Sequence, residues 1–362
     1  MIAPELDSRL FKIIPRTVKG TFSHKIDMGQ MPFSHNNWFR KEIINPVEAR
    51  IEGLAQEFFR LIIPNQPRTC VAKNPALGTY YTLSEEIPGY RLLPEGEQRN
   101  FTSGKYHGLG QIMLLAAFLQ DIDLKNSNVC LNYNDQVLKI DGDWCFASVQ
   151  YPMSYKNETM PLTPELIDKL PYPHNFYTHN WLDIIMVERR KPSNYIVDAV
   201  QLSTAPRFRT EINQAMLKIL LTPDSYMRKF VDAFIPVGTT ADTYIDFLHE
   251  RREQLKACAL QNASFQAYIS TWIASDVADA HFLHMRHFTV NDNYAVVSAS
   301  DYSTLKSEFD ALHDKFFPKR ALIEKLSVYQ LAFFKRIEHA TTLEDAADEG
   351  DVPTPLHKIS FV

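Results

Sequence analysis

The chain has 362 residues, of which 45% are hydrophobic and 22% are charged, and its formal net charge is −5. This composition is typical of a globular protein that is long enough for two lobes with separate cores. The slight acidity excludes a global positive field of the kind that attracts nucleic acids. Four cysteines lie far apart without a CxxC pair, which predicts reduced thiols and neither a zinc site nor a disulfide framework.

The sequence contains no run of about 18 apolar residues, so it predicts no transmembrane helix. Its first residues, MIAPELDSRLFKII, lack the continuous apolar segment of a secretory signal peptide. We therefore expect a protein that acts inside a cell, and that would reach a foreign cytoplasm only by a route independent of a signal peptide.

The first part of the chain is expected to be rich in β-strands. Short β-type segments broken by glycine and proline fill residues 10–41, and the last of them ends in the cation Lys41. Residues 67–87 have the pattern of a β-hairpin with a turn at residues 74–78. The segment that follows, residues 84–90, is interpreted as an extended exit from this β-rich part.

Asn45 and Pro46 predict the start of an amphipathic helix. Asparagine is a favoured N-cap, and proline is well tolerated at the first helical position. Apolar residues then recur at helical spacing. Two acidic residues of this helix, Glu48 and Glu52, come soon after the preceding strand.

A polar stretch near the middle of the chain has the pattern that phosphoryl transfer requires. Asp123 is followed by Lys125 and, five positions after the aspartate, by Asn128, while Asp141 follows an apolar strand. Transfer of a phosphoryl group from ATP needs an aspartate to orient the attacking hydroxyl, an asparagine and a second aspartate to hold Mg²⁺, and cations on the phosphates. This spacing is typical of the catalytic and metal-binding loops of that chemistry, and its candidate residues are Asp123, Lys125, Asn128 and Asp141.

Two alternatives stay open within this stretch. Asp121 and Asn126 have the same spacing of five, but Asn128 is followed by an apolar strand start that would aim it inward. Asp143 competes with Asp141, or adds to it as a further ligand or a supporting group. We prefer Asp141 because it directly follows the apolar strand.

The phosphate-binding lysine also has two candidates. Lys73 follows Val-Ala, but a turn and a strand come after it and no helix that could carry an acidic partner. Lys41 precedes the acidic helix, so that a carboxylate of Glu52 or Glu48 could hold its ammonium group. We therefore prefer Lys41.

The Asp-Leu-Lys-x-x-Asn segment that begins at Asp123 resembles the catalytic loop of the protein kinases, although Asp121-Ile122 replaces the usual His-Arg. The order of elements over residues 15–150 is similar to that of the kinase superfamily. The Lys-Ile-Asp that ends at Asp141 looks like its atypical branch, which contains the HipA-type kinases and the phosphatidylinositol 3/4-kinases. The chain resembles most the HipA-like effector kinases that Legionella injects into host cells. It departs from the wider family in lacking Ala-Pro-Glu and a G-x-G-x-x-G phosphate loop.

The resemblance implies an α+β class with a two-lobed, protein-kinase-like fold. The small β-rich N-lobe would span residues 1–90 and the large, extended α-helical C-lobe residues 91–340. A helical extension would begin at about residue 179, and an acidic mobile tail would occupy residues 341–362.

The same resemblance implies ATP and Mg²⁺ as cofactors, with Asp123 as the catalytic aspartate and Asn128 and Asp141 as metal ligands. It also assigns the nucleotide contacts. Lys41 would bind the phosphates with Glu52, or Glu48, as its partner. The extended segment would offer the backbone of Glu85 and Ile87 to the adenine edge.

Helices are expected in the rest of the chain. Residues 105–120 are almost wholly apolar, which predicts a buried helix just before the polar stretch. Further helices are predicted at residues 179–191, 207–221, 224–234, 239–262, 263–288, 301–316 and 319–340.

Basic residues gather at several places in this helical part, and each group is interpreted as a solvated helix end. A sharper hypothesis is that some of them converge into a pocket for a polyanion such as an inositol polyphosphate or a phosphoinositide headgroup. The groups are Arg189 to Lys191, Arg207 with Arg209, Arg228 with Lys229, Arg251 with Arg252, Lys319 with Arg320, and Lys335 with Arg336.

These features together predict an ATP- and Mg²⁺-dependent phosphotransferase, and above all a serine/threonine protein kinase that acts as a bacterial effector on a host protein. The alternatives are an inositol phosphate or phosphoinositide kinase of the same fold, and a pseudokinase scaffold that binds host protein or membrane. Transfer of a nucleotidyl group is an alternative chemistry. The expected location is the host cytoplasm, with peripheral attachment to host membranes as a variant, or otherwise the cytoplasm of the producing cell.

Overall fold

The two predicted lobes are both present in the computed structural model, which describes residues 2–15, 25–32, 34–93, 99–152, 161–171, 201–291 and 294–318. Strands dominate the first part of the chain and helices the remainder. The predicted α+β class with a β-sheet N-lobe and a helical C-lobe is therefore confirmed, and the arrangement is consistent with a kinase-like fold. Residues Met1–His313 form one compact unit, and Asp314–Val362 form a second.

The N-lobe sheet has six strands among the described residues, in the order β1-β5-β6-β4-β3-β2. The pairing is antiparallel except that β1 runs parallel to β5. The fully buried Trp38 on β4 contributes to the core of the sheet. The strands are β1 Leu6–Asp7, β2 Lys12–Ile13, β3 Ile26–Gln30, β4 Asn37–Ile43, β5 Thr69–Lys73 and β6 Tyr80–Glu85. The predicted hairpin of residues 67–87 is thus formed by β5 and β6.

A smaller antiparallel sheet positions the polar stretch. Its strands are β7 Arg91–Leu92, β8 Val129–Leu131 and β9 Val137–Lys139, and β8 lies in the middle. Strand β8 begins directly after Asn128, and β9 ends two residues before Asp141. The loop that contains Asp123 and Asn128 and the loop that contains Asp141 therefore both adjoin this small sheet.

The helices are α1 Pro46–Ile62, α2 Arg99–Thr102, α3 Leu109–Phe118, α4 Ala147–Gln150, α5 Pro164–Lys169, α6 Pro206–Leu221, α7 Asp224–Phe234, α8 Thr239–Gln261, α9 Ala263–Ile269, α10 Trp272–His287 and α11 Tyr302–Phe316. A short antiparallel pair, β10 Thr289–Val290 and β11 Tyr294–Ala295, follows α10. No helix among the described residues combines the length and apolar character needed to cross a membrane.

The single helix predicted at residues 263–288 is wrong, because the structure divides it into α9 and α10. The hydroxyl of Ser270 donates to the Gln266 carbonyl, and that of Thr271 donates to the Tyr268 carbonyl. Thr271 then caps α10 by accepting from the Ala274 amide at 3.3 Å. Such side-chain bonds to the backbone favour a helix end over continuation. The predicted helices at 179–191 and 319–340 and the acidic tail lie outside the described residues.

Helix α1 lies between the sheet and the helical lobe. Asn45 caps it by accepting from the Val47 amide at 2.9 Å, and Pro46 occupies its first position, as the sequence predicts. The helix packs against β5 and β6 and also against α6, α7 and α10. Its Phe58 ring stacks on Phe118 at 5.9 Å and meets the edge of Phe230 at 5.7 Å. Both lobes are therefore joined through one buried helix.

Helix α3, the predicted buried apolar helix, is capped at both ends by side chains from other helices. Glu211 on α6 accepts from the amides of Gly108 and Gly110 at 2.8 and 3.0 Å. Arg251 on α8 donates to the carbonyls of Ala117 at 2.6 Å and Phe118 at 3.1 Å. A carboxylate at the N-terminus and a guanidinium at the C-terminus also complement the helix dipole.

A glycine at position 110 lets α3 and α6 approach closely. A Cβ atom there would come within 2.5 Å of the Phe208 carbonyl oxygen. The backbone of α3 is thereby held against α6 directly before the polar stretch begins.

We predict that Arg251→Met lowers the free energy of unfolding by about 1–3 kcal/mol, the usual cost of leaving a buried polar group without its partner. The Phe118 carbonyl would lose the guanidinium donor, whereas the Ala117 carbonyl would keep the Gln120 amide at 3.3 Å. Chemical denaturation measures this difference. Arg228→Met is the matched control, because Arg228 is half-exposed and pairs only across the surface with Asp242, where a pair contributes about 0–1 kcal/mol. Equal losses in the two variants would contradict the capping role.

Candidate active site

Lys41 lies in the middle of β4, between β3 and β6, and its ammonium group meets three carboxylates. Its Nζ atom is 3.2 Å from Oε2 of Glu52, 2.9 Å from Oδ1 of Asp141 and 2.9 Å from Oδ2 of Asp143. The side chain is only 12% exposed. Burial lowers the pKa of Lys41, but the three carboxylates outweigh this effect and hold its pKa above the ordinary value. The lysine is therefore charged.

Glu52 reaches Lys41 from the second turn of α1. Burial raises the pKa of Glu52 to about 7, although the Lys41 ammonium opposes that rise. The alternative partner, Glu48, instead accepts from the side chain of Asn45 at 3.2 Å in the first turn. Lys73, the alternative lysine, ends β5 with its Nζ atom 5.2 Å from the centre of the Tyr80 ring.

Asp123, Asn128 and Lys125 meet in the loop that follows α3. The side-chain amide of Asn128 donates to the backbone carbonyl of Asp123 at 2.9 Å and to the carboxylate oxygen Oδ2 of Asp123 at 3.1 Å. The Lys125 ammonium donates to the same Oδ2 atom at 2.6 Å. Asp123 and Asn128 are buried, whereas the Lys125 side chain is 38% exposed. These contacts fix the direction of the Asp123 carboxylate.

Asp121, the alternative to Asp123, lies in the interior below the loop. Its Oδ1 atom accepts from the Asp123 amide at 3.0 Å, and its Oδ2 atom is 3.2 Å from Nζ of Lys139. Both side chains are almost completely buried. Burial raises the pKa of Asp121, while the Lys139 ammonium opposes the rise. Asp121 therefore holds the backbone of the Asp123 loop from the protein interior. The alternative spacing pairs Asp121 with Asn126. The backbone of Asn126 lies in a short 3-10 turn, Asn126–Asn128.

Lys139 is a residue of this region that the sequence analysis did not identify. Besides Asp121, its ammonium group donates to the carbonyl of Ile140 at 3.0 Å and to that of Asp141. One buried cation thus joins the loop of Asp123 to the loop of Asp141. The only sequence signal was a lysine within an apolar strand, where a solvated side chain would be unexpected.

The carboxylates of Asp123, Asp141 and Asp143, which we call the acidic cluster, offer oxygen atoms that all lie within 4.8 Å of one another. With Glu52 they place four carboxylates near the two ammonium groups of Lys41 and Lys125, so that carboxyl groups outnumber ammonium groups here. Hard divalent cations such as Mg²⁺ prefer carboxylate and amide oxygens. The donor set therefore fits a divalent cation.

The two aspartates that follow β9 have different pKa values because their surroundings differ. Although burial raises it, the Lys41 ammonium brings the pKa of Asp141 down to about 2. Burial, together with the charge of Asp141, raises the pKa of Asp143 to about 6. Asp141 thus stays ionised at neutral pH, and Asp143 gains a proton in mild acid.

Glu85 and Ile87, the predicted adenine contacts, lie at the end of β6 and just beyond it. The Glu85 side chain pairs with Arg68 at 2.6 Å and accepts from Asn36 at 2.6 Å, and its amide donates to the Arg68 carbonyl at 2.9 Å. The Ile87 carbonyl accepts from the Tyr90 amide at 3.0 Å. An adenine contact here would therefore have to use the carbonyl of Glu85 and the amide of Ile87.

The basic groups of the helical part are engaged within the chain wherever the structure describes them. The expectation of solvated helix ends is wrong for Arg251 and Arg252, which are buried and donate to backbone carbonyls. The described ion pairs of the other groups are Arg207 with Glu211, Arg228 with Asp242 and Lys229 with Asp301. Residues 189–191, 319–320 and 335–336 lie outside the described residues.

Comparison with known proteins adds little to this geometry. No protein-family model and no curated protein matches the chain. Among solved structures, the proinflammatory kinase CtkA of Helicobacter pylori is similar over 70% of this chain and 97% of its own, with 14% sequence identity and a TM-score of 0.41. A likeness this distant carries no argument about activity. The resemblance to Legionella effector kinases stays a prediction.

We predict that the apparent affinity for Mn²⁺ falls by about fivefold between pH 6 and pH 5. Asp143 carries a proton below its pKa of about 6, and a carboxyl group must lose that proton to coordinate a cation. The ionised fraction of Asp143 falls from about one half at pH 6 to about one tenth at pH 5. Titration calorimetry at several pH values measures the affinity. Asp143→Asn should flatten this step, and a flat profile in the unaltered protein would contradict the assignment.

Proposed function

We propose that the chain is an ATP- and Mg²⁺-dependent phosphotransferase of the kinase type. The observation that carries this proposal is the convergence on Lys41 of carboxylates from α1 and from the loop after β9, beside the Asp123–Asn128 loop. Phosphoryl transfer is catalysed mainly by positioning and by charge stabilisation. A cation next to oxygen ligands for Mg²⁺ and a directed aspartate supply both.

The roles of the side chains follow from their positions. Asp123 would orient the acceptor hydroxyl and take its proton, because Asn128 and Lys125 hold its carboxylate in one direction. Lys41 would neutralise charge on the nucleotide phosphates, with Glu52 fixing its direction. Asn128 and Asp141, joined by Asp143, would hold Mg²⁺, which when bound supplies positive charge to the transferred group.

We further propose that the acceptor is a serine or threonine hydroxyl of a protein, and that the enzyme acts as an effector in the cytoplasm of a host cell. An inositol phosphate or phosphoinositide acceptor would need several cations free to bind phosphates. In the part of the chain that the structure describes, Arg207, Arg228 and Lys229 pair with carboxylates, and Arg251 donates to a carbonyl. Within that part, this pairing favours a protein acceptor over a polyanionic one.

The reaction is tested with ATP labelled separately at the α- and γ-phosphates. Label from the γ-phosphate on a protein supports the proposal, whereas label from the α-phosphate would show nucleotidyl transfer. Label on an inositol phosphate or lipid would identify the other acceptor class. No transfer from either position, with ATP bound, would indicate a pseudokinase.

We predict that Asp123→Asn lowers the rate of phosphoryl transfer by about 10²–10⁴-fold, the usual contribution of a positioned general base. Asparagine keeps the size of the side chain and one acceptor oxygen, so the folded state and ATP binding should change little. Transfer rates, ATP affinity and thermal stability are measured together.

The matched control is Asp135→Asn, in the turn between β8 and β9. Asp135 pairs with Arg91 and has a positive φ of 61°, a conformation that asparagine also tolerates. The rate of phosphoryl transfer by this variant should stay within about twofold of that of the unaltered protein. Asp135 lies outside the acidic cluster, and the change affects a half-exposed surface pair. Full activity in Asp123→Asn would refute the assigned role.

A further inference from the structure

Gln56 joins α1 to the loop of residues 141–143. It lies one helical turn after Glu52 and is buried, with 3% of its surface exposed. With its side-chain amide assigned in the orientation that the neighbouring donors require, its Oε1 atom accepts a hydrogen bond from the Gly142 amide at 2.9 Å and another from the Asp141 amide. This amide orientation is the one that gives both backbone donors a partner. Buried backbone amides need such a partner.

The backbone of Asp141 is consequently held on both sides. Gln56 accepts from its amide, and the buried Lys139 donates to its carbonyl. Asp141 has a φ of 67°, a left-handed conformation that residues other than glycine adopt only when their surroundings impose it. The two bonds from Gln56 and Lys139 supply that constraint.

Helix α1 also lies so close to the loop that position 142 has little room for a side chain. A Cβ atom at Gly142 would be 3.0 Å from Cβ of Ala55 and 3.3 Å from Cγ of Gln56. Small movements of α1 would therefore displace the loop directly.

The helix that carries Gln56 is itself fixed to the helical lobe at several points. Arg50 donates to the Phe234 carbonyl at 3.0 Å, and Lys218 donates to the Ile62 carbonyl at 2.8 Å. His284 shares a hydrogen bond of 3.0 Å with the Arg60 carbonyl. Helix α1, which carries Gln56, is therefore anchored to the helical lobe near its start and at its end.

We propose that Gln56 is a positioning residue: its amide oxygen holds the backbone of residues 141–142 so that the carboxylates of Asp141 and Asp143 face the cation site. This inference rests on the proposed function, because it assigns a role at the same site. Since α1 carries both Glu52 and Gln56, one anchored helix sets the positions of Lys41 and of the acidic cluster together.

A single amide signal tests the proposal. Gly142 is the one glycine of twelve that follows an aspartate in this sequence. Labelling aspartate with ¹³C at the carbonyl and glycine with ¹⁵N therefore isolates the Gly142 amide in an NMR spectrum. Its hydrogen exchange reports the bond to Gln56, and its broadening by added Mn²⁺ reports cation binding at the loop.

We expect the Gly142 amide to be protected in the unaltered protein and to exchange at least about tenfold faster in Gln56→Met, which keeps the size but removes the acceptor. The apparent Mn²⁺ affinity should fall by about 10–100-fold, as it does when a group supporting a metal ligand is lost. Gln56→Glu retains an acceptor oxygen and should restore most of the protection. Tyr226→Phe, which removes a buried hydrogen bond of 3.1 Å to the Met285 carbonyl, should change neither quantity.

Exchange of Gly142 at the rate of an exposed amide in the unaltered protein would overturn the proposal without any variant. Unchanged Mn²⁺ affinity in a folded Gln56→Met protein would overturn the positioning role. Absence of phosphoryl transfer, with protection and Mn²⁺ affinity both dependent on Gln56, would contradict the proposed function and support the role of Gln56.

Discussion

The candidate site depends on one buried cation, the ammonium group of Lys41, which Glu52, Asp141 and Asp143 share. It joins the central strand of the N-lobe sheet, helix α1 and the loop after β9. Without it, carboxylates at this spacing would repel one another in surroundings where water screens them poorly. The same charge depresses the pKa of Asp141, which keeps one strong oxygen ligand ionised at neutral pH.

Two further buried contacts hold the surroundings of this group in place. The Lys139–Asp121 pair, 3.2 Å apart, lies beneath the two polar loops and bonds to both. Glu211 and Arg251 fix the ends of α3, the helix that leads into the Asp123 loop. The acidic cluster is thus supported by charged groups whose own partners lie inside the chain. Such preorganisation is what phosphoryl transfer requires, because the chemistry needs little beyond position and charge.

The elements could be predicted from the sequence where local patterns determine them. The cap at Asn45, the β5–β6 hairpin and the apolar α3 are each set by residues a few positions apart. The break between α9 and α10 was missed because periodicity dominated over the weaker signal of Ser270 and Thr271. The alternative partners Glu48 and Glu52 could not be separated either, since their distance to Lys41 depends on how α1 packs on the sheet.

The residues that support the site could not be predicted, because their contacts cross long stretches of chain. Glu211 meets Gly108 over 103 positions, and Arg251 meets Ala117 over 134. Nothing local marks them.

A crystal structure with a non-hydrolysable ATP analogue and Mg²⁺ tests the central claim most directly. The account predicts the phosphates at Lys41 and the cation on Asn128 and Asp141; a nucleotide bound elsewhere, with the acidic cluster empty, would contradict it.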